Sequence, residues 1–82
     1  MTYSIKFSSK AKRFLKSLDK NKSLRILDKL EEIKKDPFRY LEHFEGDGYK
    51  LRIGDFRALI DIDFKDEILK IRLFDKRGKI YK

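Results

Sequence analysis

The side chains best suited to chemistry in this 82-residue chain are gathered between Tyr49 and Arg57, in the segment YKLRIGDFR. Gly54-Asp55 between two alternating apolar runs suits a two-residue type II′ hairpin turn, because glycine tolerates the positive φ needed at the first turn position. That turn pairs Ile53 with Phe56 and sets Arg52 directly opposite Arg57. The same register places Lys50 opposite Leu59 on the arginine side, while Tyr49, Leu51, Ile53, Phe56, Ala58 and Ile60 point the other way. Like charges opposed across an antiparallel pair cost about 0.2–1 kcal/mol, so an arginine pair kept at that cost is expected to face an anion. Guanidinium and ammonium groups on rigid strands are what a phosphodiester needs for charge neutralisation, both in the ground state and as charge builds in a transition state.

Such a floor still needs a proton acceptor, and the candidates are the single histidine, the tyrosines and the carboxylates. His43 falls in an irregular stretch and reads as a surface or loop-packing side chain. Asp61 and Asp63 share a strand face, but Asp61 is matched to Lys70 and nearby cations repel a divalent ion, so both read as ion-pairing groups and no metal or cofactor is expected. A tyrosine such as Tyr81 usually just packs its ring at a sheet edge. With Arg52, Arg57 and Arg77 around it, however, its phenolate form would be favoured, which makes it a candidate functional group.

The elements that must position these groups follow from periodicity. Tyr3, Ile5 and Phe7 alternate as a short first strand, and Ser8 or Ser9 can cap a helix carrying Ala11, Phe14, Leu15 and Leu18 on one stripe. Asp19 to Asn21 gives a turn and a cap. A second helix follows with Leu24, Ile26, Leu27, Leu30 and Ile33 facing inward, stopping at Asp36-Pro37. Phe38 to Asp47 has no clean period and takes no assignment. After the Tyr49 strand, a turn at Lys65-Asp66 joins Phe56–Phe64 to Glu67–Phe74, setting Ile62 against Leu69, Asp61 against Lys70, Ile60 against Ile71, Leu59 against Arg72 and Ala58 against Leu73. Asp75 to Gly78 reads as a turn, and Lys79 to Lys82 as a short terminal strand. The expected fold class is α+β, a single domain over residues 1–82: an N-terminal strand and a helical hairpin packed on one face of a mainly antiparallel sheet of four to five strands, the other face left open.

A chain of this size buries only about 60–65% of its unfolded surface, so its stability margin should be modest. With no cysteine, neither disulfides nor zinc thiolates can assist, and a reducing compartment is the natural setting. No signal-peptide pattern or membrane-length apolar run occurs, so a cytoplasmic protein without membrane attachment is expected. Lys and Arg number 22 against 14 acidic residues, a net charge of +8, which points to nucleic acid or an acidic protein as partner.

The segments YKLRIGDFRALIDID and RLFDKRGKIY resemble the RelE/ParE toxin superfamily of toxin–antitoxin systems, most strongly over residues 49–82. The resemblance extends to the N-terminal strand and helical hairpin. In the RelE branch it implies a toxin that enters the ribosomal decoding site and cleaves mRNA without a metal, the 2′-hydroxyl attacking the adjacent phosphate to leave a 2′,3′-cyclic phosphate. By the same resemblance Lys50 and Arg52 orient the RNA and activate that hydroxyl, and Arg57 stabilises the transition state. Arg77 neutralises or protonates the leaving 5′-oxygen, and Tyr81 stacks on a base or assists proton removal. Lys76 stands where many members carry a histidine, so a general-acid histidine is not expected.

The resemblance further implies an acidic, partly disordered RelB-like antitoxin that covers the basic face, with Leu59 and Phe74 as apolar docking points on the open side and operator DNA reached only through the antitoxin. Two other readings compete: a ParE-like inhibitor of DNA gyrase on the same fold, and a basic RNA-binding module without chemistry.

Overall fold

The computed structural model describes residues 2–46 and 48–76. Among them the elements run β1 (Ser4–Phe7), α1 (Ser9–Ser17), α2 (Lys20–Ile33), α3 (Pro37–Tyr40), β2 (Glu42–Glu45), β3 (Gly48–Ile53), β4 (Phe56–Asp63) and β5 (Ile68–Lys76). Ser8 caps α1, its hydroxyl accepting the Ala11 amide at 3.0 Å. Asp19 is the N-cap of α2, although its carboxylate makes no capping bond. The residues α2 buries are Ile26, Leu30 and Ile33, an i, i+4, i+7 stripe. Leu24 and Leu27, expected to face inward, are exposed because at 100° per residue they fall well off that stripe.

The α+β architecture matches the sequence expectation, with one sheet in the order β1-β5-β4-β3-β2. β1 runs parallel to β5 at one edge; the other pairings are antiparallel. A single apolar core joins Ala11, Ile26, Leu30 and Ile33 of the helices to Leu51, Ile53, Ala58, Ile60, Ile62, Leu69, Ile71 and Phe74 of the sheet. The unassigned stretch after Pro37 forms a one-turn helix followed by an edge strand. Tyr40 donates its hydroxyl to Glu32 at 2.8 Å, which fixes α3 to α2 and aims the chain into β2. That bond also raises the Tyr40 pKa and, with the nearby Lys29, lowers that of Glu32.

The register between β3 and β4 is as expected from the turn: Ile53 with Phe56, Arg52 with Arg57, Leu51 with Ala58 and Lys50 with Leu59. Gly54 has φ +57° and Asp55 is not in the left-handed region, the combination a type II′ turn needs. Between β4 and β5 the expected register holds from Asp63 and Ile68 up to Ile60 and Ile71, then shifts. Leu59 pairs with Leu73 rather than Arg72, and Ala58 with Phe74 rather than Leu73, because a bulge at Arg72 inserts one residue into β5.

Two expectations fall with this shift. Phe74 is not on the open face: it is 5% exposed and stacks on Phe14, with ring centroids 5.7 Å apart. Asp75 and Lys76 belong to β5 and not to a turn. The terminal strand proposed for Lys79 to Lys82 lies outside the described residues.

Candidate nucleic-acid interface

Parity along β3 and β4 separates core from surface. Leu51, Ile53, Ala58 and Ile60 are buried against the helices, so Lys50, Arg52 and Arg57 project on the opposite side. There Glu42, Lys50, Leu51, Arg52 and Arg57 line a cleft of about 230 Å³. Three of the five predicted site residues are thus brought together. The other two, Arg77 and Tyr81, lie outside the described residues.

The side chains fall into rows across the sheet. One row reads Glu42, Lys50, Leu59, Leu73, and the next reads Arg52, Arg57, Asp75. Lys50 Nζ lies 3.2 Å from Glu42 Oε1, so its ammonium is anchored at the β2 side of the cleft. Arg52 is exposed and Arg57 half-buried. Leu59, an expected docking point, is only 9% exposed and lies outside the main core, between Lys50 and Leu73 in the sheet.

Arg52 also borders a second depression, shared with Arg25, Asp28, Lys29 and Glu32 of α2, so it stands at the rim where the open face meets the helices. Farther along the open face the charges are matched. Arg72 Nε lies 3.4 Å from Asp61 and Lys70 Nζ 3.9 Å from Asp63, in keeping with the ion-pairing reading of both aspartates. The partner of Asp61 is Arg72 and not its register neighbour Lys70, because Arg72 is the bulged residue and reaches diagonally. His43 is exposed on β2, edge-on to Tyr49 at 5.3 Å and with Nε2 2.9 Å from the Gly46 carbonyl oxygen, away from the lining of the cleft.

Sequence reasoning missed two carboxylates that frame the cations, Glu42 and Asp75. A signal for Glu42 existed in its separation from Lys50, which a short hairpin through Gly46 and Gly48 brings opposite. Asp75 had none, because its place depends on the bulge.

The model of the family described as ParE toxin of type II toxin-antitoxin system, parDE, matches residues 5–81. Among solved structures, the toxin–antitoxin complex RelBE2 from Mycobacterium tuberculosis superposes with a TM-score of 0.84 at 21% identity, covering 94% of this chain and 100% of that one. The archaeal RelE–RelB complex from Pyrococcus horikoshii gives 0.79 at 28% identity, covering 96% and 99%. A doubly substituted E. coli RelE toxin in the free state gives 0.79 at 20% identity, covering 95% and 86%. No curated protein sequence is similar enough to count as a relative.

Proposed function

Because this chain belongs to the ParE toxin family of type II toxin–antitoxin systems, we propose that it arrests translation in the manner of a RelE-type toxin, by cleaving mRNA on the ribosome. The observation that carries this reading is the opposition of Arg52 and Arg57 across a two-residue turn, with Lys50 beside them in the same cleft. The RNA supplies its own nucleophile. The 2′-oxygen bonds to the adjacent phosphorus, the bond from phosphorus to the 5′-oxygen breaks, and the proton lost from the 2′-hydroxyl is balanced by one gained at the leaving oxygen. Two guanidinium groups fixed on neighbouring strands suit the extra negative charge on the phosphoryl oxygens. Lys50, held against Glu42, acts as a cation that orients the backbone. Arg77 at the leaving oxygen and Tyr81 at a base or the attacking hydroxyl complete the site in this reading.

The test is primer extension on mRNA from cells expressing the chain. Cleavage within translated regions is expected, and Arg57→Ala should lower it by roughly 100- to 1000-fold, the usual loss when one preorganised charge-stabilising donor is removed. Undiminished cleavage by a folded Arg57→Ala protein would sink the site assignment.

The family description itself favours one alternative, a ParE-like inhibitor of DNA gyrase on this fold. A supercoiling assay with purified gyrase separates the two readings, since a nuclease leaves gyrase turnover unchanged. Under either, the net charge of +8 and the cluster of Lys50, Arg52 and Arg57 at one cleft call for an acidic antitoxin as the neutralising partner in the cell.

A further inference from the structure

We propose that Asp75 is a positioning residue for Arg57, brought to the open face by the one-residue bulge at Arg72; its catalytic consequence rests on the nuclease reading above. Strict alternation along β5, continued from the buried Leu69 and Ile71, would carry Leu73 and Asp75 toward the core and turn Phe74 outward. The ladder breaks that alternation at one point. Ile60 pairs with Ile71 and Leu59 with Leu73, so Arg72 is the extra residue, and from there on the parity of β5 is reversed. Phe74 then enters the core between Phe7 and Phe14, with centroids at 6.4 and 5.7 Å.

The reversal has a second product. Without the extra residue Arg57 would stand opposite Phe74; with it, Arg57 stands directly opposite Asp75. Directly opposed residues of an antiparallel pair share a face with Cβ atoms about 4.5–5.5 Å apart, so the carboxylate of Asp75 lies within reach of the Arg57 guanidinium on the side away from Arg52. Arg57 is half-buried and has a cation on one flank and an anion on the other. A guanidinium carries its donors in a planar fork, so a carboxylate engaging one edge fixes the plane and presents the other edge to a phosphate.

The bulge is held by contacts from the residue that follows β1. The Ser8 hydroxyl donates to the Arg72 carbonyl oxygen at 2.5 Å, and the Ser8 amide donates to the Ile71 carbonyl oxygen at 3.0 Å. The residue that caps α1 thus also holds the distorted turn of β5.

The experiment compares the intact protein with Asp75→Asn, Asp75→Glu and Asp75→Asn combined with Arg57→Ala. Nitrogen relaxation of the Arg57 Nε–Hε group reads the orientation directly. Asp75→Asn should mobilise that group while leaving Arg52 and the backbone amides unchanged, and Asp75→Glu should restore part of the order. In cleavage assays Asp75→Asn should reduce kcat by about 10- to 100-fold, the scale of a small misplacement of a catalytic group, with KM little changed. It should add nothing to Arg57→Ala, since the two act as one unit.

An Arg57 group equally ordered in Asp75→Asn overturns the proposal. So does an increase in RNA affinity and rate, which would mark Asp75 as a repulsive charge alone. If Asp75→Asn fails to fold, Asp75→Ser carries the same readouts. A protein that cleaves nothing in any form refutes the nuclease reading, while the relaxation result still decides whether Asp75 orients Arg57.

Discussion

Strand β4 has two neighbours, and its two ladders are built on different principles. Toward β3 the pairing runs unbroken from Gly48 and Asp61 to Ile53 and Phe56, and everything about it follows from the tight turn at Gly54. Toward β5 the pairing carries a discontinuity in mid-strand that no local residue dictates. The first ladder gathers like charges; the second gives one of those charges a counter-ion. A site made of cations alone thus needs only a turn and a two-residue alternation, whereas orienting one of them draws on packing contributed by the other end of the chain.

That contrast can be tested by perturbing each ladder where it is most committed. The largest effect is expected for Phe74→Ala. It removes the side chain whose burial goes with the reversed parity of β5, and a buried Phe truncated in this way costs about 3–5 kcal/mol. Urea unfolding should show a midpoint lowered accordingly, and a loss under 1 kcal/mol would mean that the aromatic cluster does not hold the bulge. Ser8→Ala should follow, with a loss of about 1–2 kcal/mol from the cap together with the bond to the Arg72 carbonyl. Hydrogen exchange at the Ala11 and Ser8 amides would report it, and protection equal to that of the unaltered protein would rule out the dual role.

On the β3 side, Gly54→Ala meets no neighbour within 4 Å, so its cost is conformational alone. About 1–2 kcal/mol is expected from forcing an L-residue to φ near +57°. Thermal unfolding measures it, and an unchanged midpoint would contradict the assigned turn. The smallest effect has the opposite sign. Arg52→Gln relieves the opposed charges and should stabilise the fold by about 0.2–1 kcal/mol, more at low salt, while weakening RNA binding. If the substitution destabilises, the arginine pair carries no electrostatic cost and the argument that an anion belongs there loses its first step.

The same division explains what could be read from the residues alone. Arg52, Arg57 and Lys50 were legible because a glycine turn fixes register and a period of two fixes the face. The stop of α2 before Pro37 and the cap at Ser8 were legible for similarly local reasons. The bulge was not, since Leu73 and Phe74 are adjacent and either could enter a core; the choice is made by Phe7, Phe14 and Ser8, some sixty residues away. Strand β2 escaped because it is four residues long and loses register between His43 and Glu45, which erases any alternation. Leu24 and Leu27 misled because a leucine-rich helix offers more apolar positions than one face can bury.

The parallel pairing of Ser4–Phe7 with Ile68–Ile71 has a consequence for biosynthesis. Ser4 and its partner Ile68 are 64 residues apart in the chain, so the second segment emerges several seconds after the first at elongation speeds of about 5–20 residues per second. Until the later one emerges, β1 has no strand to pair with and Phe14 of α1 lacks Phe74, one of its two aromatic partners in the sheet. Pairings between such distant segments also close slowly. A nascent chain therefore holds Lys50, Arg52 and Arg57 without the neighbouring strand that frames them until β5 has emerged.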